Sequence, residues 1–580
     1  MSAGVVARYA FNSSFTWTEE LGSWVFVWLT FVGVAAGHRG DQHIALELFG
    51  PPTTSRSSKL RQIVVSLVVA YTTLWLLQGG ADLVRNIGGR STALQWPNAV
   101  KYAVVPAACI VSMAYLVLAD ATLSGMLRAS LVLVAAYLTL GPMQTLLGML
   151  ISGASPSVVM SAAFAAALVA GVPVAFSMLF GVFVAALSAN LLPVPAVVHT
   201  VVSGASSFVL LAIPFFLTVG YLMNSGGLSA RVIDLASALV GHFRGGLAQA
   251  NVVHSALLGG VCGSAGADAA STTKILVPEM IRRGYSPPFA CAVTAVGSIL
   301  PACFPPSIAL LVYAAVAEVS IAQLFTAGIV PGLLLCGFMM LTVYWVASTR
   351  HYEPPRARAS LRAIFHAFLN AMPVGILAIA ILGMLRFGIA TATEVGAIAV
   401  LWVFVLGKFA YGKMSWLQAY RDLQESAIQS ALIGFLIAVS APFAWVLIAE
   451  GAPKQLIDWS TQFFSQPWQL LLLLNVLMLV AGTVLELIPM ILIMVPLFVP
   501  VLTSFGADPI QIGIVIVING LLGSLTPPVG VLVFITASIA KVPAGAIFRE
   551  CNPFLVSCGV GLLLITFVPA ISLTLWRLIS

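Results

Sequence analysis

The chain has 580 residues, 60% of them hydrophobic and 8% charged, with a mean hydropathy of +1.05. A soluble domain carries about 25% charged residues, so the composition excludes a soluble globular protein and implies many crossings of a lipid bilayer. The formal net charge of +7 is not a nucleic-acid signal, because Lys and Arg of a membrane protein gather in cytoplasmic loops.

Apolar runs such as Trp24 to Ala36, Ile63 to Leu77 and Leu470 to Ala481 fit helices. They lack the alternation over ~10 residues that marks outer-membrane strands. In chain order, helices are predicted over 17–37, 60–82, 98–120 and 129–151, then over 156–190 with a break near Gly171-Val-Pro173. Further helices follow at 206–225, 326–348, 364–385, 394–411, 428–449, 465–482 and 553–576. His38, Arg39, Arg56, Lys59 and Arg61 form one basic loop, and Arg350, Arg356, Arg358 and Arg362 another. Both are expected in the cytoplasm. The seven Cys form no CxxC pair and lie in or beside apolar sequence, so they read as small buried hydrophobes. No secretory signal peptide with a cleavage site is evident.

Two stretches repeat at a spacing of 222 residues. Gly260, Pro278, Gly284, Pro287, Pro305 and Pro306 correspond to Gly482, Pro500, Gly506, Pro509, Pro527 and Pro528, where chance would give about one such match or fewer. The repeat units occupy 247–325 and 472–548. Helix breakers at matching places in two halves of a membrane protein point to a transport site. After Pro278 the first unit carries Arg282 and Arg283, whereas after Pro500 the second reaches Asp508 without a basic residue. That asymmetry puts the first turn inside and the second outside, which makes the pair an inverted repeat capable of alternating access.

In Gly259-Gly-Val-Cys-Gly-Ser264-Ala-Gly266-Ala-Asp268, small residues crowd the tip of an apolar segment. Such a segment turns back inside the membrane only where its freed backbone groups are buried in protein or bind something. Oxygen donors at a helix break suit Na⁺; the alternative is a tight helix–helix contact through small residues. Cys303-Phe-Pro305-Pro306-Ser307 and Leu525-Thr526-Pro527-Pro528-Val529-Gly530 each remove two adjacent backbone donors, so neither span can be a continuous helix. Bared helix ends attract ions of opposite sign, and Ser307 and Thr526 add hydroxyls.

Asp268 and Glu486 are expected near the two hairpin tips, where an ionisable side chain is either functional or a capping carboxylate. Lys274 either neutralises Asp268 or reaches for the cytoplasmic surface. Glu318 and Lys541 fall at the far ends of the broken helices and read as interfacial. Arg386 and Glu394 bracket Gly388 to Thr393 as a structural ion pair or a moving joint.

These residues resemble the large membrane subunit of tripartite ATP-independent periplasmic (TRAP) transporters. The resemblance is carried by Gly259 to Asp268, Val277-Pro-Glu-Met280 with Arg283-Gly-Tyr285, Phe304-Pro-Pro-Ser307 with Val312-Tyr313, Leu324 to Gly332, Thr393-Glu394 and Leu525 to Gly530. Arg8-Tyr-Ala-Phe-Asn12, Trp17-Thr-Glu-Glu-Leu21 and His43-Ile44 resemble the small membrane subunit. The chain is thus similar to a fusion, with a small-subunit-like domain at 1–125, a linking helix within 126–154 and a transporter domain at 155–580. Small subunits of this family usually begin with a further helix, whereas only Met1 to Val6 precede the first motif here. The expectation is a truncated or missing first helix.

The resemblance implies an all-α, inverted-repeat, elevator-type permease with two re-entrant hairpins and two broken helices, braced by the small part. It implies a Na⁺-driven importer of small organic anions in the bacterial inner membrane, fed by a separate periplasmic substrate-binding protein. Dicarboxylates, sialic acid, sugar acids and keto acids all suit the family. Carried over by motif, the sodium and substrate residues are Gly263, Ser264, Asp268, Pro305, Ser307, Glu486, Thr526 and Gly530, with Na⁺ at Ser264, Ser307 and Thr526. Glu486 stands where the family more often has Asp.

A single-component anion exchanger or exporter on a similar scaffold, needing no periplasmic partner, is the alternative. A membrane-embedded enzyme would need a nucleophile–base pair or a metal cluster. No HExxH or GxSxG occurs, and none of His38, His43, His199, His242, His254, His351 and His366 stands at metal-ligand spacing within an apolar helix. The chain is therefore expected not to be an enzyme.

Overall fold

A computed structural model describes residues 4, 15, 17–37, 56–118, 123–151, 154–189, 193–354 and 357–579. Arg8 to Asn12, His38, Arg39, His43, Ile44 and Arg356 lie outside the described residues, as do Met1 to Ala3 and Val5 to Val6. Among the described residues the molecule is helical, with one isolated bridge between Arg90 and Pro97. Eleven helices are long and apolar enough to cross a membrane, or twelve if one bent pair counts as a span.

The first helices are α1 (Trp17–Gly37), α2 (Arg56–Asn86), α3 (Asn98–Leu118), α4 (Leu123–Leu150), α5 (Pro156–Val169), α6 (Val174–Ala189) and α7 (Val194–Ala205). The predicted break between α5 and α6 is real: Gly171 takes φ +88°, a conformation open to glycine, just before Pro173. A 3₁₀ turn at Phe208–Leu211 leads to α8 (Ala212–Ser225), α9 (Leu228–Val240), α10 (Gly246–Cys262), α11 (Ala265–Arg282), α12 (Pro287–Gly297), α13 (Ile308–Ala317) and α14 (Ile321–Thr349). Next come α15 (Leu361–Arg386), α16 (Ala392–Val405), α17 (Trp416–Ala449) and α18 (Ala452–Phe463). The chain closes with α19 (Pro467–Gly482), α20 (Leu487–Ser504), α21 (Pro509–Gly523), α22 (Val531–Ala540), α23 (Ala544–Phe567) and α24 (Pro569–Ile579).

Three short helices lie beyond the predicted set. α7 is only a few turns long, while α9 and α18 are amphipathic, so none makes an apolar run of spanning length. The single helix expected over 553–576 is two, because Pro569 follows Val568 and cannot continue α23.

The repeat register extends past the window that revealed it. Moving α11 by 222 residues lands on α20 at both ends, and moving α12 lands on the start of α21. The same shift carries α9 onto α18 within two residues at each end, α6 onto α16 and its π-turn, and α7 onto the start of α17. The copies differ where α7 and α8 are separated around Ser206 but the matching stretch of α17 runs through unbroken.

Packing divides the chain into two compact units. One comprises Ala3–Leu211 with Ala427–Trp459. Within it α2 packs on α3, α4, α6 and α7. Helices in a membrane associate by close van der Waals fit, which small residues permit. Gly33 of α1 meets Ala431, and a Cβ on Gly204 would lie 2.7 Å from the Ala441 side chain. Trp75 meets Phe183 with tilted rings whose centroids are 4.9 Å apart, and Phe31 and Phe176 both meet Phe435. The described residues between 17 and 118 are therefore part of a larger packed body that includes α6, α7 and most of α17. α4 is an exposed apolar helix with a spanning stretch at Ser130–Leu147.

The other unit comprises Ala212–Ser426 with Ser460–Ser580 and holds both repeat units. α10 and α11 form one re-entrant hairpin, and α19 and α20 form the second. α12 with α13, and α21 with α22, are the two interrupted spans.

Candidate functional site

The first hairpin turns at Gly263, which takes φ +59°, and a Cβ there would collide with the carbonyl oxygen of Pro306. Only glycine satisfies both the left-handed backbone and the close approach. The Gly263 carbonyl accepts the Ile308 amide at 3.4 Å. Hairpin tip and helix break therefore meet, bringing Gly263, Ser264, Pro306 and Ser307 together.

Ser264 caps α11, its hydroxyl accepting the Ala267 amide at 3.4 Å. Ser307 caps α13, accepting the Leu310 amide at 3.2 Å while donating to the Ala302 carbonyl at 2.5 Å. That carbonyl stands four residues before Pro306, whose missing N–H would have been its helical partner. A hydroxyl has one proton and two lone pairs, so each of these serines keeps one lone pair beyond the bonds described.

The second tip runs from Thr483 to Glu486. The Thr483 carbonyl accepts the Val529 amide at 3.2 Å, a second tip-to-break bond that lies one or two residues ahead of strict register with Gly263–Ile308. Gly482 and Gly523 bring the hairpin and the broken helix into backbone contact: a Cβ on Gly482 would sit 2.8 Å from the Gly523 Cα. Thr526 donates its hydroxyl to the Leu522 carbonyl at 2.8 Å and keeps both lone pairs. Gly530 caps α22 at φ +52° against the Phe548 ring. Glu486 stands at the N-cap of α20 without a side-chain capping bond. Both Pro-Pro bonds, 305–306 and 527–528, are cis.

The two halves interlock. α11 packs on α22, and α13 packs on α20, so each hairpin lies against the far half of the other repeat's broken helix. Tyr313 of α13 fills the space beside Gly513 and donates to the Pro509 carbonyl at 2.6 Å.

Asp268 is fully buried one turn past the first tip. Its carboxylate accepts from Ser255 of α10 at 2.7 Å and from Thr272 at 3.0 Å, which ties the two arms together. It does not pair with Lys274, which is exposed. Glu394 forms a capping box with Thr391 at the start of α16. Glu318 and Lys541 are exposed and end α13 and α22 in matching left-handed conformations.

Several structural residues have weak sequence signals. Asn475 and Asn519 are buried and bonded to each other at 2.8 Å, Asn475 reaches Thr566 at 2.9 Å, and Gln511 reaches the Thr566 carbonyl at 3.0 Å. Lone amides inside apolar helices were the available clue. Glu353 had none. It accepts from the Leu247 amide at 3.0 Å, from Tyr285 at 2.8 Å and from Arg283 at 3.1 Å, locking both feet of the first hairpin. Burial works against the Arg283 charge, yet bonds to Glu279 and Glu353 outweigh it and hold the guanidinium pKa above its ordinary value. Burial, then Glu353, raises the Tyr285 phenol, which stays a donor.

A helical membrane protein with two repeat units, each made of a helical hairpin and a broken span, has the form of a secondary transporter. Comparison with known proteins narrows this. The model of the "Tripartite ATP-independent periplasmic transporter, DctM component" family matches residues 161–571, and that of the DctQ component matches residues 1–128. The chain belongs to the TRAP transporter family, with DctQ-like and DctM-like parts fused, and is a multi-pass permease rather than an enzyme.

It is 29% identical over 569 residues to the isethionate TRAP transporter permease protein DctMQ of Oleidesulfovibrio alaskensis, covering 96% of this chain and 88% of that one. It is 38% identical over 368 residues to the C4-dicarboxylate TRAP transporter large permease protein DctM of Pseudomonas aeruginosa, covering 63% and 86%. It is 26% identical over 586 residues to the sialic acid TRAP transporter permease protein SiaT of Haemophilus influenzae, covering 98% and 94%. The solved YdaH transporter of Alcanivorax borkumensis matches with a TM-score of 0.49 at 16% identity, over 64% of this chain and 86% of that one.

Proposed function

We propose that this chain is the membrane part of a Na⁺-driven, binding-protein-dependent importer of small organic anions in the bacterial inner membrane. The observation that carries the reading is the pair of tip-to-break bonds, Gly263–Ile308 and Thr483–Val529. Each places spare hydroxyl lone pairs beside an interrupted helix. Membership in the family implies a periplasmic partner and an anionic cargo. The cargoes named for the relatives, C4-dicarboxylate, sialic acid, isethionate and diketogulonate, are all small organic anions.

Na⁺ is a transported substrate held by oxygen donors. Ser264 and Ser307 hold it beside Gly263 and Pro305 at the first tip, and Thr526 at the second, where Glu486 and Gly530 complete the surroundings. Asp268 stiffens the first hairpin. The cargo binds between the tips. Sodium orders the tips and raises affinity for the anion, and by reciprocity the anion tightens sodium binding. Each ion gains ~2.3 kcal/mol per 100 mV of membrane potential. The hairpins and broken helices travel as one body, and the packing of α1 and α2 on α6, α7 and α17 suits a brace for the part that stays still.

The test is uptake by proteoliposomes holding the purified chain. The cargo is the anion that a ligand screen on the cognate binding protein identifies. Uptake is expected to need both that protein and a sodium gradient. Equal uptake without the binding protein would favour a single-component exchanger or exporter instead.

A further inference from the structure

Between α11 and the end of α22 lies a groove of about 510 Å³, inside the range of small-ligand sites. Thr273, Lys274, Val277 and Pro278 line one wall, and Ile539 and Ala540 the other. Among the described lining residues Lys274 carries the one charge. Its ammonium is exposed and makes no hydrogen bond or ion pair with the described residues. Asp268, six residues earlier, accepts from Ser255 and Thr272 and makes no ion pair with Lys274. The Thr273 hydroxyl is turned into its own helix, donating to the Ala269 carbonyl at 2.5 Å. Lys541, next to Ala540, is also exposed.

Position gives the groove a side. Ten residues after Ser264, Lys274 lies about 15 Å along α11 from the tip, at 1.5 Å per residue. It lies toward Arg282 and Arg283, the end that the charge rule assigns to the cytoplasm. The two walls come from opposite repeats, as do the two tips.

We propose that this groove is an anion station on the cytoplasmic release path, and that Lys274 selects for a small carboxylate leaving the tips. This rests on the importer reading. The helix dictates no lysine here, and the apolar walls alone would give a departing anion no reason to dwell.

The test uses charged thiol reagents as probes. Ala540→Cys is made in the full chain, with Ile539→Cys as a second variant in case the first folds poorly. Sulfonatoethyl and trimethylammonioethyl methanethiosulfonates are applied to inverted membrane vesicles and to vesicles of phosphatidylcholine with or without phosphatidylglycerol. The expected result is labelling from the cytoplasmic face with the anionic reagent favoured. A unit charge ~7 Å away in water changes the anion-to-cation ratio about sevenfold, so Lys274→Met should lower that ratio about sevenfold and Lys274→Arg should leave it within about twofold. An unchanged ratio in Lys274→Met, or labelling only from the other face, overturns the proposal. Loss of the preference when phosphatidylglycerol is present overturns it in favour of a lipid headgroup. The reagents report the groove without sodium or cargo, so a chain that keeps the ratio but shows no sodium-driven uptake would sink the importer reading alone.

Discussion

The carboxylate of Asp268 accepts the hydroxyl of Ser255 at 2.7 Å, joining the two arms of the first hairpin just below its tip. With Thr272 on its other oxygen, it is buried and doubly bonded. Asp268→Asn replaces one acceptor by an N–H pair facing a hydroxyl. A buried group left unmatched costs about 1–3 kcal/mol. Thermal unfolding of the purified chain in detergent should show this loss, and Ser255→Ala, which leaves the buried carboxylate short of a donor, should also lower stability.

Pro527 and Pro528 interrupt the second broken helix because neither supplies an amide. Replacing both by Ala restores two donors, aimed at the carbonyls of Gly523 and Ser524, and favours a continuous helix. Uptake should stop while the amount of protein in the membrane fraction stays near wild type. Normal uptake in the double variant would contradict the broken-helix account.

Ser264 and Thr526 are expected to hold sodium. Removing either hydroxyl by Ala should raise the sodium concentration for half-maximal uptake roughly tenfold, equivalent to about 1.4 kcal/mol. Unchanged sodium dependence in both variants would take them out of the ion's surroundings.

Gly263→Ala adds a Cβ at φ +59° that meets the Pro306 carbonyl. The left-handed backbone alone costs about 1–2 kcal/mol. The tip must pull away from the break, so uptake should fall far more than expression. Gly482→Ala, facing Gly523, should act the same way on the second tip.

Glu353→Gln removes the charge that Arg283 faces and leaves three donors competing for a weaker acceptor. The melting temperature should drop, and Tyr285→Phe should drop it less. If neither moves it, the knot does not hold the feet of the hairpin.

What the sequence made legible follows from chemistry that is local. A double proline forbids a helix wherever it sits, so both breaks could be placed from Pro305-Pro306 and Pro527-Pro528 alone. The match of Gly284 to Gly506, each at a φ near +88°, shows that the shared spacing reported real turns. Contacts made across a turn were not legible. Ser255 and Asp268 stand on different arms and meet only once the hairpin has closed, and Gly482 finds Gly523 across two helices. Glu353 belongs to a loop whose sequence says nothing of the two helix ends it ties. Lys274 has two readings in the sequence and stands apart from Asp268 in the structure, because spacing along one helix does not reveal which face a neighbouring element covers. α9 and α18 give no such signal, because a helix polar along one side lacks the long apolar run that marks a span.

Hydrogen–deuterium exchange of the full chain in sodium against potassium reads the central claim without knowledge of the cargo. Sodium should slow exchange in peptides covering 263–268, 305–308, 483–486 and 526–530 and leave α4 unchanged. Identical exchange in the two salts at all four segments would contradict the account.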